Sequence, residues 1–404
     1  MASDTDRPLR VLVVGAGMYT CGRGTDGFGT VLPALFEAGR EGQVGAVTVV
    51  GRDPANRQFV LGQAARLSEV MRCSVPVEYL PSSGPVRDDV YLTGTAEAFD
   101  CAIIAVPDQL HFDVTSALIE RGLHCLVVKP VVAVLAQLQE LIRLRDVHGV
   151  YCAVEFHKRF DEANLELRRR IRSGVIGDIV YVLVEFSQRR TVPLGFFRSW
   201  CEATNVFQYL GVHYVDMVHF CTGAIPTRAV ASGQRSLLSG QGVKTLDAVQ
   251  ALVEWKDEAG GAPFTLAIVT SWIDPSTTSA MSQQGITFVG TKGRLESDQK
   301  DRGMRQVVEG AGPEHLNPYF STLQEGIDGS LRHVGYGSRS IRQFLADCRG
   351  LRRGSTSVRE LHGLRPTLEE ARAATAVLEA VNRSLAADGG WIAIDPRGTG
   401  ESAP

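Results

Sequence analysis

Residues 101–130, CAIIAVPDQLHFDVTSALIERGLHCLVVKP, restrict what this chain can fold into more than any other stretch. Residues 102–106 are a short apolar run closed by Pro107 and Asp108. Residues 112–121 carry helical spacing, with Val114, Ala117 and Leu118 at i, i+3 and i+4. Residues 123–128 form a second apolar run. Two such runs around one helix predict a βαβ unit, whose strands are parallel and buried on both faces. In open α/β sheets ligands sit beyond the carboxyl ends of the strands. Val106, Pro107 and His111 lie at one such end, and Lys129-Pro130 at the next. A lysine there is either a solvated strand cap or a group aimed at a ligand.

The beginning of the chain favours the second reading. Residues 10–14 are an apolar strand, and Gly15-Ala16-Gly17 follows at once. Glycines after a strand permit the tight turn and close backbone approach that a pyrophosphate needs. Thr20 stands where the third glycine of G-x-G-x-x-G would fall, and CGRGTDGFGT then lengthens the loop before a helix at 31–38. A second strand, 46–50, comes at the expected distance and runs into Gly51-Arg52-Asp53. An acidic residue at that strand end would hold the ribose 2′-OH of NAD. Gly51 occupies the place, and Arg52 is suited to a 2′-phosphate, so the pattern leans to NADP. Asp53 serves NAD as the alternative if the register slips by two residues.

Four passages, in order, carry a family likeness: the Gly15–Gly17 turn, the stretch ending in Lys129-Pro130, EFHKRFD at 155–161 and YLGVHYVD at 209–216. ITFVGTKGRLES at 286–297 and GGWIAI at 389–394 extend it. The chain resembles the glucose–fructose oxidoreductase/inositol dehydrogenase (Gfo/Idh/MocA) family over nearly its whole length. The resemblance implies an α/β protein: an N-terminal Rossmann dinucleotide-binding domain, here 1–130, then an α/β domain with a large, mostly antiparallel open sheet, here 131–404. It also implies hydride transfer between a nicotinamide and a hydroxyl carbon of a sugar or cyclitol. Cofactor contacts are expected from Gly15, Gly17, Met18 and Tyr19, from Arg52 and Asp53, and from Val106, Pro107, His111 and Lys129.

Composition fits that expectation. The 404 residues suffice for two domains with full cores. The net charge of −3 gives no electrostatic case for nucleic acid or an anionic membrane. No apolar run is long enough for a bilayer, and MASDTDRPLR lacks the apolar core of a signal peptide. The eight cysteines form no C-x-x-C pair, which predicts a reducing cytoplasm and no structural metal. A helix over 131–148 is expected to cross to the second domain, with 151–156 as its next strand. Strands are expected at 179–189, 249–254 and 265–272, a polar surface excursion at 298–317, a helix at 367–385 and a loose tail after Asp395.

Oxidising a secondary alcohol requires a group to take the hydroxyl proton and a positive charge to stabilise the developing alkoxide. The resemblance assigns these to the lysine of a Glu-Lys-Pro motif and to an Asp-x-x-x-His pair. Lys129-Pro130 and His213 match, whereas Val128 replaces the glutamate and Tyr209 the aspartate. If the segment is helical, Tyr209 and His213 share a face at i, i+4. His213 is read as the base because histidine titrates near working pH. Alternatively Tyr209, ordinarily near ~10, is the base with its pKa lowered by Lys129.

Substrate contacts are expected from Glu155, His157 and Lys158, from Arg198 and Trp200 in a loop before Tyr209, and from Asp216 one turn after His213. Lys158, Arg189, Arg190 and Arg198 leave room for a nucleotide-linked sugar. The glycine-rich opening resembles members that tailor sugars for natural products. The resemblance also implies a homodimer or homotetramer paired through the open sheet. Two rival classes stay open: an NAD(P)-binding regulator without catalysis, for which the missing glutamate and aspartate argue, and a lyase or glycosidase that uses bound NAD transiently.

Overall fold

The apolar runs of the first third become one parallel sheet. Its strands are β1 (Leu9–Val14), β2 (Val44–Val50), β3 (Val77–Leu80), β4 (Cys101–Ile104), β5 (His124–Val128) and β6 (Cys152–Glu155), in the order β3-β2-β1-β4-β5-β6. Strand order reverses between β1 and β4, which opens a crevice at their carboxyl ends. The structure, a computed structural model, describes residues 6–86, 89, 98–257, 260–310 and 312–396. All of β4 and all of β1 except Arg10 are buried, as strands covered on both faces require. The connecting helices are α1 (Met18–Cys21), α2 (Val31–Arg40), α3 (Arg57–Met71), α4 (His111–Ile119) and α5 (Leu135–His148).

By internal contacts the chain forms two compact units, and the division is not a single cut near residue 130. The first unit comprises Met1–Val131, Gln139–Phe160 and Tyr319–Glu370, and the second Val132–Leu138, Asp161–Pro318 and Ala371–Pro404. The strand expected at 151–156 is β6, which pairs parallel with β5 (Cys125 beside Cys152, Val128 beside Glu155). Residues 319–370 also return to the first unit, as a hairpin of Thr322–Glu325 with Leu331–Val334 followed by the helix Tyr336–Arg353. That helix inserts Ile341, Phe344, Leu345 and Cys348 into the core beside Leu35, Phe36 and Leu126. The hairpin is tied to α2 by the Glu37 carboxylate, which accepts from His333 N at 3.0 Å. Arg40 donates to the Leu331 carbonyl at 3.1 Å.

In the second unit β7 (Ile179–Arg189), β8 (Ile225–Gln234), β9 (Ala248–Lys256), β10 (Phe264–Asp274), β11 (Ser282–Gly290) and β12 (Gly293–Asp298) form a sheet ordered β12-β11-β7-β10-β9-β8, closed by Ile392–Ala393. Every pairing is antiparallel except β7 with β10. The period of two is explicit on β7, where Val182, Val184 and Phe186 are buried while Leu183 and Glu185 are exposed. Helix α7 (Val212–Thr222) packs against both α6 (Glu162–Arg172) and Arg372–Ala386, and the last lies along β8. The excursion expected at 298–317 is an exposed hairpin, Met304–Val308 with Gly312–Leu316. The tail from residue 397 lies outside the described residues. Among the described residues no helix is long and apolar enough to cross a membrane.

Candidate functional site

In the first unit, the turn after β1 is built by close backbone approach. Gly15 has φ +113°, and a Cβ there would sit 2.2 Å from the Ala105 carbonyl oxygen, so only glycine lets β1 and the β4 end come together. Gly17 precedes α1 without a side-chain cap, and the space a Cβ would enter holds no atom within 4 Å. An open, uncapped helix start beside a glycine turn is the arrangement that accepts a phosphate on backbone amides. The residues present therefore fit a dinucleotide. The lengthened loop turns out to be the single helical turn of α1 followed by a closed loop. Gln63 closes it from α3, its Nε2 donating to the carbonyls of Cys21 and Gly27, both at 2.9 Å. Met18 and Tyr19, in α1, are half-buried.

The end of β2 is shaped by Tyr79. A Cβ on Gly51 would lie 2.3 Å from Tyr79 Oη, so no carboxylate fits where an NAD-binding acid would stand. Tyr79 Oη donates to the Asp53 carbonyl at 2.6 Å, and the Asp53 carboxylate accepts from Ala55 N at 2.9 Å, capping the turn Pro54–Asn56. Arg52 is exposed. Arg23, from the glycine-rich loop, reaches the same place and donates to Asn56 Oδ1 at 2.6 Å. Sequence reading missed Arg23; its only signal was a cation inside the lengthened loop.

Lys129 closes β5 and is buried, 6 % exposed. Burial pushes its pKa down to about 8, against the opposing attraction of Asp108 and Glu155. His111 sits at the start of α4 with Nδ1 2.6 Å from the Pro130 carbonyl and Nε2 2.9 Å from the Val106 carbonyl. Its ring thereby bridges the loops that follow β4 and β5. Burial lowers the His111 pKa, against the opposing hydrogen bonds to the Pro130 and Val106 carbonyls. Val106 and Pro107 are half-buried beside it.

At the end of β6 the Glu155 carboxylate is buried, accepting from Ser340 Oγ at 2.6 Å and from His157 Nδ1 at 2.9 Å. The His157 ring packs among Tyr19 (centroids 6.5 Å apart), Phe320 (5.1 Å) and Tyr336 (5.8 Å). Lys158 and Arg159 are buried in the following turn, and Arg159 pairs with Glu370 at 2.8 Å. Ser340, Phe320 and Tyr336 come from the returning segment and left no local sequence signal.

In the second unit, residues 207–211 form a π-helical turn that runs into α7, so the Tyr209–His213 spacing straddles a change of helical pitch. Tyr209 sits in an aromatic cluster with Phe197, Trp200 and Trp272, at centroid distances of 4.9, 5.9 and 5.9 Å. The His213 ring is buried against Phe186 at 5.9 Å. Asp216 is buried on the next turn. Arg198 is exposed and pairs with Glu202 at 3.2 Å. Among the described residues no group of three or more His, Cys, Asp or Glu side chains is arranged to hold a metal.

Comparison with known proteins follows the same division. A family model described as an oxidoreductase family with an NAD-binding Rossmann fold matches residues 9–156, and one for the GFO/IDH/MocA C-terminal domain matches 164–296. The chain is 26 % identical to the rhizopine catabolism protein MocA of Rhizobium meliloti over 162 residues, 40 % of this chain and 50 % of that protein. It is 28 % identical to the myo-inositol dehydrogenase Hyg17 of Streptomyces leeuwenhoekii over 167 residues, 41 % of this chain and 50 % of that protein. The chain thus spans about half the length of these curated relatives. An inositol dehydrogenase homolog from Azotobacter vinelandii, solved with NADH and myo-inositol, shares the fold, with a TM-score of 0.69 at 19 % identity over 96 % of this chain and 98 % of that one.

Proposed function

The chain belongs to the Gfo/Idh/MocA oxidoreductase family, and on that premise we propose that it is an NAD(P)-dependent dehydrogenase of a sugar, cyclitol or nucleotide-linked sugar. The observation that carries the reading is Lys129: a buried lysine with a depressed pKa, at the carboxyl end of β5, one strand out from the switch point between β1 and β4. When bound, a nicotinamide supplies the hydride acceptor or donor. In this reading the Lys129 ammonium stabilises the developing alkoxide and His213 takes the hydroxyl proton. Tyr209, held by three aromatic neighbours, serves as a hydrogen-bonding group. Fluorescence titration with NADPH and NADH, followed by a screen of sugars, cyclitols and nucleotide sugars for nicotinamide reduction, tests the proposal. Cofactor binding without reduction on any of them counts against it.

The cofactor we assign is NADP. Gly51 leaves no room for an acid, and Arg52 and Arg23 lie in the segments brought to the end of β2. An arginine on a 2′-phosphate makes charge-assisted contacts that a 2′-hydroxyl does not offer. Arg52→Ala and Arg23→Ala are each expected to weaken NADPH binding by roughly tenfold, about 1.4 kcal/mol, and to leave NADH binding unchanged. Equal loss for both cofactors in isothermal titration would contradict the assignment.

We also assign homodimer or homotetramer formation to the open face of the second unit's sheet. Tyr181, Leu183, Leu252 and Val269 expose 41–47 % of their surface there, an apolar stripe of the kind that marks an interaction surface. Leu183→Glu is expected to shift the protein to monomer in light-scattering chromatography; an unchanged mass would remove this face from the assignment.

A further inference from the structure

Between α1 and α2 the chain makes a loop, residues 22–29, whose shape is fixed both from inside and from α3. Its ends meet: a Cβ on Gly22, at φ +73°, would lie 2.0 Å from the Gly27 carbonyl oxygen, so the contact tolerates only glycine. Thr25 ties the turn, its Oγ1 donating to the Gly22 carbonyl at 2.8 Å and accepting from Gly27 N at 3.2 Å. Thr30 N closes the loop onto the Tyr19 carbonyl at 2.7 Å. We infer that Gln63 is a positioning residue for cofactor choice: it latches this loop to α3 and so holds Arg23 at the end of β2. Its bearing on cofactor choice rests on the NADP assignment, in which a 2′-phosphate is what Arg23 meets there.

The chemistry of Gln63 suits a latch. The side chain is buried, and a carboxamide carries two N–H donors on one nitrogen. One goes to the Cys21 carbonyl at the foot of the loop and the other to the Gly27 carbonyl at its far end, both at 2.9 Å. The amide oxygen accepts from Arg66 Nη1 at 2.9 Å, which fixes the orientation of the group. Arg66 in turn lies 4.8 Å over the Phe28 ring, so two neighbouring side chains of α3 grip the loop at positions 21, 27 and 28. Arg23 projects between these grips, exposed, and donates to Asn56 Oδ1 at 2.6 Å. Asn56 belongs to the turn after Gly51 that Asp53 caps and Tyr79 holds. A guanidinium already held in place loses less freedom on binding than one carried on a loose loop. The latch therefore favours a 2′-phosphate without touching it, and does little for a cofactor with a 2′-hydroxyl.

Trypsin cleavage after Arg23 reads the latch without any cofactor. Gln63→Leu keeps the bulk of the side chain but removes the donors to both carbonyls, and is expected to speed that cleavage about tenfold under native conditions while the circular dichroism stays the same. Isothermal titration with NADPH and NADH reads cofactor choice. Gln63→Leu is expected to lower the ratio of NADPH to NADH affinity about fivefold, and to change it no further in an Arg23→Ala background. A merely structural role would weaken both cofactors alike and would add to Arg23→Ala. Unchanged cleavage, an unchanged ratio or additive losses each overturn the inference. Gly22→Ala breaks the same loop from within and is expected to repeat both effects, which keeps the test open if Gln63→Leu does not fold. An unmutated protein that prefers NADH would instead fail the NADP assignment, and the role in cofactor choice with it; cleavage at Arg23 would still decide whether Gln63 latches the loop.

Discussion

Replacing Lys129 by alanine is expected to lower kcat by about 10²–10³-fold while the dissociation constant for the nicotinamide cofactor changes little. That magnitude is what removal of one preorganised donor to a developing oxyanion costs elsewhere. The ammonium is held in a site that resists charge: burial brings its pKa down to about 8, and Asp108 and Glu155 keep it from falling further. If the charged form is required, the rate falls as pH rises through that value. Lys129→Arg keeps the charge at all accessible pH and is expected to abolish this alkaline limb, whatever rate it retains. Stopped-flow measurement of the hydride step from pH 6 to 10 checks both statements. A rate that rises through pH 8 in the unmutated protein would instead make Lys129 the base of the proposed reaction.

The largest loss of stability is expected from Asp161→Ala. Asp161 ends the EFHKRFD passage and is fully buried. Its carboxylate accepts from Arg302 at 2.7 and 3.0 Å and from Ala163 N at 3.2 Å, so it caps α6 and fixes the root of the 304–316 hairpin together. Removing it takes away the carboxylate that pairs with the Arg302 guanidinium, itself 9 % exposed, at a cost of about 3–5 kcal/mol. Asp161→Ala/Arg302→Met, which removes both charges, is expected to recover most of that loss in chemical denaturation. Burial is the largest single influence and would raise the Asp161 pKa, but the hydrogen bonds and charge of Arg302, with the hydrogen bonds from Ala163 N and Gln299, together outweigh it and hold the carboxyl below its usual range. The stabilisation is therefore complete above the ordinary carboxyl pKa and is lost as pH falls through the lower folded value. The gap between the two proteins should close in strong acid. A constant gap down to that range would assign the loss to packing rather than to the ion pair.

Parts of this molecule were readable early for identifiable reasons. β4, α4 and β5 announce themselves because buried parallel strands are continuous apolar runs and the helix between them repeats at 3.6 residues. β7, expected at 179–189, matches residue for residue because one face is buried and the sequence alternates. At the candidate site, Gly15, Gly17 and Lys129 were legible since their positions follow from strand ends. Asp53 was legible as a residue but not as a helix-turn cap, which depends on where its backbone turns. Glu155 stood among expected substrate contacts, yet both its oxygens point to partners in the protein, and one of these, Ser340, lies 185 residues away.

Sequence by itself determined the local and periodic features: the parallel and alternating strands, the glycine turn, and the lysine at a sheet mouth. Those follow from short-range sterics and from which side of an element meets the core. Tertiary structure alone decided that β6 completes the first sheet and that residues 319–370 return to cover it. It also decided that Tyr79 excludes a side chain at Gly51, and that Arg23 reaches the end of β2. Each of these is a contact between segments distant in the chain. Their free energy comes from burial and charge pairing after the segments meet, and no local pattern records it.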